Sequence, residues 1–294
     1  MKVAVFGRFY NATTTNSVER LFSYLLEKDI DAYIETEFFK IIKKESPNID
    51  DYTSFKTFDT LDKSFDFFVS VGGDGTILRA IEFVKDIGIP IIGINTGRLG
   101  FLATIQVDQI ENAIQNILDG KYKISERSLL SIETSPENEE IKSLNFALNE
   151  IAVSRKNTTS MITVETYLND EYLTSYWSDG LIISTPTGST GYSLSCGGPV
   201  ITPDTNSFVL APIAPHNLSA RPLIIPDSTE IQLKVQGRED SHLISLDSRI
   251  ATLENGTIIK IKKADFKIKM IDLLNESFLD TLRKKLLWGE DKRN

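Results

Sequence analysis

Cysteine occurs once, as Cys196, and histidine twice, as His216 and His242, in a chain of 294 residues. A structural zinc cluster therefore lacks ligands, and an internal disulfide lacks a partner. Positive charge is also short. The 32 lysines and arginines against 41 acidic residues leave a formal charge of −9, which argues against a broad phosphate-tracking surface for nucleic acid while leaving room for a local basic pocket. Long apolar runs are missing: none approaches the ~20 residues needed to span a bilayer. Residues 1–10 carry neither the apolar region nor the small-residue cleavage site of a secretory leader, so the expectation is a soluble cytoplasmic protein without a membrane partner. Chemistry is left to carboxylates, hydroxyls, backbone and a bound ion. With 41% hydrophobic and 25% charged residues, the chain can bury a sizeable core in one large domain or two smaller ones.

An apolar run at 3–7 closes on glycine and is followed by Val18, Leu21, Phe22, Leu25 and Leu26 at helical spacing, which predicts strand, loop and helix. Residues 31–34 read as the next strand and 40–63 as a polar, irregular, mobile insertion. The run 65–71 is apolar apart from Asp66 and Ser70. It enters Gly72-Gly73-Asp74-Gly75-Thr76 and then Ile77, Leu78, Ile81 and Val84, a second strand, turn and helix. A buried strand at 89–94 and a helix at 107–118 follow. This alternation predicts a Rossmann-like α/β domain over 1–126, its parallel sheet covered on both faces. From about Arg127 the period shortens to alternating runs at 131–134, 147–154, 163–168, 181–184, 208–213, 230–235, 242–246 and 257–270, which predicts an all-β, sandwich-like domain over 127–270. The amphipathic segment 274–288, within 271–294, is expected to rejoin the first domain as a helix.

The glycines at 72–76 follow a buried strand and open a helix. There they let backbone N–H groups approach a phosphate, while the helix N-terminus favours the anion. No Gly-Lys-Ser or Gly-Lys-Thr follows and Gly-x-Gly-x-x-Gly is absent, so this is neither a Walker loop nor the dinucleotide fingerprint. A tight turn with Asp74 as helix cap is the plainer reading of the same five residues.

The turn resembles that of the superfamily containing NAD kinases, diacylglycerol and sphingosine kinases, and phosphofructokinases. Further segments follow in order: Asn95-Thr96-Gly97-Arg98-Leu99-Gly100-Phe101-Leu102, then Asn149-Glu150, then 178–195 with Ser178-Asp179-Gly180 and Thr187-Gly188-Ser189-Thr190-Gly191-Tyr192-Ser193-Leu194-Ser195, and Pro215-His216-Asn217-Leu218-Ser219-Ala220-Arg221-Pro222. With them the chain resembles the NAD kinase family, most specifically from Gly72 to Pro222. The resemblance implies transfer of the γ-phosphoryl of ATP to the 2′-hydroxyl of the adenosine ribose of NAD, giving NADP, with magnesium or another divalent cation accompanying ATP. It also implies a homodimer or homotetramer. Gly72, Gly73, Gly75 and Thr76 would hold the ATP phosphates. A secondary hydroxyl is a poor nucleophile at neutral pH, and a carboxylate beside it can orient it and accept its proton. Asp74 matches the family's proposed base; holding magnesium is its other open role. NAD contacts would come from Asp74, Gly75, Arg79, Phe101, Asn149, Glu150, Asp179, Thr187, Thr190, Gly191, Tyr192, Ser193, Leu194, Ser195 and Arg249.

Each of these residues also has a plainer reading. Asn149-Glu150 at the end of a strand is an ordinary polar pair, Asp179-Gly180 an ordinary turn, and 185–195 an ordinary polar loop. Tyr192 stacks on adenine or packs as a buried aromatic, with Phe101 open to the same two readings. Arg79 faces phosphate or solvent. His216 reads as a structural turn residue and Cys196 as a small-residue position without nucleophilic character. Two positions depart from the family: Gly191, where alanine is common, and Asp247-Ser248-Arg249, where Asp-Gly-Gln is common. A lipid kinase and a non-catalytic dinucleotide sensor are the competing functions; the first lacks a membrane-facing amphipathic segment here.

Overall fold

The computed structural model describes every residue except 12, 46–53, 158–159, 218, 275–276 and 289–294. In chain order the first elements are β1 Lys2–Gly7, α1 Thr15–Glu27, β2 Asp31–Glu35, α2 Thr36–Glu45, β3 Lys56–Phe58, β4 Phe67–Gly72, α3 Asp74–Val84, β5 Ile91–Asn95 and α4 Ile110–Leu118. Then come β6 Tyr122–Ser135, α5 Glu139–Lys142, β7 Phe146–Ala147, β8 Glu150–Ser154, β9 Ile162–Leu168, β10 Glu171–Ser178, β11 Gly180–Ser184 and the one-turn helix α6 Tyr192–Ser195. The chain continues through β12 Ser207–Ile213, β13 Leu223–Pro226, β14 Ile231–Gln236, β15 Ser241–Leu246, β16 Arg249–Glu254, β17 Ile258–Leu273 and α7 Phe278–Leu286. Two compact units result, Met1–Glu126 with Ile268–Asn294, and Arg127–Lys267.

In the first unit the strands lie in the order β17-β5-β4-β1-β2-β3, all parallel. The fully buried pattern of β4 and β5 is what a sheet covered on both faces requires. Its main core joins Val3, Val5, Val69 and Ile92 of the strands to Val18, Leu21 and Phe22 of α1 and to Ile110 and Ile114 of α4.

Part of the expected irregular insertion is ordered structure. Helix α2 ends at Glu45 and buries Phe38, Phe39 and Ile42 on one face, and β3 adds the last strand; residues 46–53 lie outside the described residues. Counting from Lys40 hides the helix, because two of its three core residues precede that position. Buried Glu35 starts α2 by accepting the Phe38 N–H at 2.7 Å.

In the second unit β10-β9-β14-β17 form one antiparallel sheet and β13-β12-β11-β8-β15-β16 another. Val153, Leu181, Ile183, Leu210 and Ile244 of the second sheet share a core with Val164, Ile231, Leu233, Ile259 and Ile261 of the first, as in a sandwich. The outer face of the six-stranded sheet carries a smaller cluster of Ala152, Ile182, Val209 and Ala211, closed by Ile201 and Cys196. The run expected at 147–154 is interrupted, so Asn149-Glu150 marks a strand start and not a strand end. Three further strands escape the sequence reading: β10, β13 and β16.

Candidate functional site

In the first unit, Gly73 is the N-cap of α3 and has no side chain with which to cap it. Gly72 sits at φ +153°, and a Cβ there would meet Thr76 Oγ1 at 2.2 Å, so only glycine fits between the strand and the buried threonine. At Gly73 and Gly75 a Cβ would meet nothing within 4 Å. Packing does not demand these two glycines; the space beside the first-turn amides stays open to a ligand.

Asp74 does not cap its own helix. Its carboxylate turns to the loop after β5 and accepts three successive amides, Phe101 N–H to Oδ2 at 2.8 Å, and Leu102 and Ala103 N–H to Oδ1 at 3.0 and 2.9 Å. Gly100 permits this approach, since a Cβ there would lie 1.9 Å from Oδ1. Buried Asn95 braces the same loop. It accepts the Gly97 N–H at 2.7 Å and donates to the carbonyls of Arg98 and Ala103 at 2.8 and 3.1 Å. Phe101 is half-buried, with its ring 6.4 Å from that of Phe278 and the Lys285 ammonium 5.8 Å from its centre.

In the second unit, Asn149 lies in the break between β7 and β8 and Glu150 opens β8. Asp247 grips this break: Oδ2 accepts the Leu148 N–H at 2.9 Å, and Oδ1 those of Asn149 and Glu150 at 2.8 and 3.1 Å. The segment after β11 is stitched to the same place. Thr185 N–H donates to the Asn149 carbonyl at 2.9 Å, its hydroxyl donates to the Leu148 carbonyl at 2.6 Å, and that hydroxyl accepts the Gly188 N–H at 3.1 Å. A Cβ on Gly188 would fall 2.1 Å from the Asn149 carbonyl oxygen. At Gly191 a Cβ would lie 3.1 Å from Glu150 Oε2, so glycine leaves that oxygen more room than alanine would.

Asn149 Oδ1 and Glu150 Oε2 are buried and have no hydrogen-bond partner among the described residues. Leaving a buried acceptor unpaired costs roughly 1–3 kcal/mol, so the pair suits a ligand that brings O–H or N–H donors. Burial, and secondarily the charge of Asp247, push the Glu150 carboxyl up to about 8, against the Tyr192 N–H that it accepts. Burial also raises Asp247, opposed by its three amides and by Arg249.

The remaining expected residues divide by surroundings. Thr187 and Ser193 are buried, Thr190 donates to the Thr187 carbonyl at 3.2 Å, Leu194 is half-buried and Ser195 exposed. Tyr192 is 47% exposed, which leaves a face of its ring open to stacking and sets aside the buried-aromatic reading. The expected cations are engaged within the protein. Arg79 pairs with Glu82 at 3.1 Å, and Arg249 donates to the carbonyls of Leu144 and Phe146 with its guanidinium over the Phe146 ring. Asp179 pairs with Arg155 at 2.8 Å. His216 packs on Trp177 with ring centres 4.6 Å apart, and burial pushes the Cys196 thiol up, away from a nucleophile's range. Asn95, Thr185 and Asp247 stand in the segments quoted from sequence but were given no role there; a polar residue closing a buried strand was the available signal for Asn95. Among the described residues no group of three or more His, Cys, Asp or Glu side chains is placed to hold a metal ion, and no helix is long and apolar enough to cross a membrane.

A glycine turn at a strand-to-helix junction in the first unit and an antiparallel sandwich in the second suit a nucleotide-binding protein of two units, and comparison with known proteins specifies the class. Residues 3–122 match the ATP-NAD kinase N-terminal domain and 148–273 the ATP-NAD kinase C-terminal domain. The chain belongs to the NAD kinase family. It is 60% identical over 294 residues, covering all of both chains, to an NAD kinase of Flavobacterium psychrophilum. An NAD kinase from Archaeoglobus fulgidus, solved in complex with ATP, superposes with a TM-score of 0.75 at 26% identity over 98% of this chain and 99% of its own. A yeast NADH kinase solved with NADH has the same fold, with a TM-score of 0.86 at 23% identity over 100% of this chain and 89% of its own.

Proposed function

We infer that the chain is an NAD kinase that moves the γ-phosphoryl of ATP onto the 2′-hydroxyl of the adenosine ribose of NAD, with Asp74 at the reacting centre. The observation that carries this assignment is a carboxylate fixed in the same turn as amides open to phosphate. A carboxylate has about four lone-pair sites, and three amides engage three of Asp74's. Oδ2, with a single amide, keeps the capacity to accept the ribose hydroxyl. As the 2′-oxygen bonds to the γ-phosphorus, its proton passes to Asp74 Oδ2 and the bridging oxygen leaves with ADP. The Asp74 and Gly75 amides at the start of α3, with Gly73 and Gly75 unobstructed, hold the phosphate oxygens, while the Thr76 N–H is given to the Gly73 carbonyl at 2.9 Å. Magnesium would arrive with ATP, held by the phosphates with Asp74 as the turn's own carboxylate, and would neutralise charge on the transferring group. Asn149 and Glu150 take the adenosine portion of NAD through their unpartnered acceptors, and Tyr192, Thr187, Thr190 and Gly191 line the rest of the dinucleotide.

A homodimer or homotetramer in the cytoplasm belongs to the same proposal, and a light-scattering mass tests its assembly. Steady-state NADP formation from ATP, magnesium and NAD tests the activity. Asp74→Asn should retain NAD binding and lose most turnover. Near wild-type turnover in that variant would remove Asp74 from both its base and its metal role. Binding of NAD with no NADP formed by the wild-type chain would point to a sensor instead.

A further inference from the structure

The two-residue hairpin between β15 and β16 carries opposite charges, and each one meets backbone. Asp247 stands at φ +53°, in the left-handed region that aspartate tolerates better than most residues. Its own N–H donates to the Glu150 carbonyl at 3.0 Å while its carboxylate takes the amides of 148–150. Two residues on, Arg249 takes the carbonyls of Leu144 and Phe146. Asp247 thus serves peptide groups at the break between β7 and β8. Neither charge is needed for the hairpin itself, whose ladder is made by Leu246 and Arg249 through backbone.

We propose that Asp247 and Arg249 are positioning residues, a two-charge clip that fixes 144–150 so that Asn149 and Glu150 present their open acceptors to the dinucleotide. The clip rests on the assignment of Asn149 and Glu150 as NAD contacts. It gives Arg249 a place in this chain: the guanidinium fork spans two carbonyls at once. Its action on the ligand is then indirect.

Steady-state kinetics with NAD and ATP varied in turn tests the clip in Asp247→Asn and Arg249→Gln, each made alone and in an Asn149→Ala, Glu150→Ala background. Asparagine keeps the size and backbone tolerance of Asp247 but turns a donor toward an amide N–H. Each single variant should raise the KM for NAD about tenfold, the scale of one lost charge-assisted hydrogen bond, with the KM for ATP unchanged. In the doubly substituted background the same change should add less than about twofold, because residues acting through a shared partner are not additive. Arg249→Gln carries the test alone if Asp247→Asn does not fold. An unchanged KM for NAD, a loss confined to kcat, or the full effect in the substituted background would overturn the clip, the last by making Arg249 a direct contact. If the Asn149→Ala, Glu150→Ala protein itself keeps its KM for NAD, the site assignment underneath has failed instead.

Discussion

Asp74 and Asp247 use one device at two places: a carboxylate accepting three successive amides from a distant loop. Such a residue orders backbone as well as offering charge, so its replacement has two consequences that must be separated. Gly100 provides the means at Asp74. In Gly100→Ala a Cβ would stand 1.9 Å from Oδ1 and must displace the carboxylate without changing its chemistry. Turnover should fall at least tenfold, a loss of about 1.4 kcal/mol of transition-state stabilisation, with the Asp74 side chain intact; wild-type kcat would show that the observed carboxylate position is not the working one. Glu150 gives a pH prediction. Its carboxyl is raised from an ordinary 4.5 to about 8, so the folded protein holds this proton more tightly than the unfolded chain does. Stability from this group is fully present below the unfolded value and is lost as pH rises toward about 8, with Asp247 shifted in the same direction. Glu150→Gln, neutral throughout, should flatten the decline of Tm with rising pH; an unchanged slope would remove Glu150 as its source.

At the scale of elements, the strands missing from the sequence reading share a position. β3 and β10 end their sheets, and β13 and β16 flank the six-stranded one. An edge strand is covered on fewer sides and carries polar residues that blunt further pairing, so its apolar alternation fades. Glu171–Ser178 buries only two of its eight residues, and β13 ends in Pro226, which an edge tolerates. Central strands such as β4, β5 and β11 are buried throughout and were legible as continuous apolar runs. The same contrast holds for the site. Asp74 was readable because its strand, turn and helix are contiguous, whereas Asp247 meets Leu148 across 99 residues and nothing in its own segment announces that contact. Helix α2 tests how far this overlooked material supports the core. Ile42, fully buried there, should cost about 2–5 kcal/mol of unfolding free energy as Ile42→Ala, measured by urea titration. A cost below 0.5 kcal/mol, the ordinary range for surface positions, would place α2 outside the cooperative core.

Across the whole molecule, the change from helix-and-strand alternation to short alternating strands near Arg127 was visible from periodicity alone, because one sheet is covered on both faces and the other two share a single core. The formal charge of −9 posed a separate question for a protein that binds two anionic nucleotides. Arg79 is paired with Glu82 and Arg249 is committed to two backbone carbonyls, so both cations named for the ligand are already engaged within the chain. Under the proposed function, NAD recognition would fall to amides, hydroxyls and the Asn149 and Glu150 acceptors, whose strength does not depend on long-range attraction. Raising salt from about 50 to about 300 mM shortens the Debye length from roughly 14 to 6 Å, yet should change the KM for NAD by less than about twofold. With its named cations engaged inside the chain, the enzyme's hold on its acceptor is expected to be indifferent to the ionic strength around it.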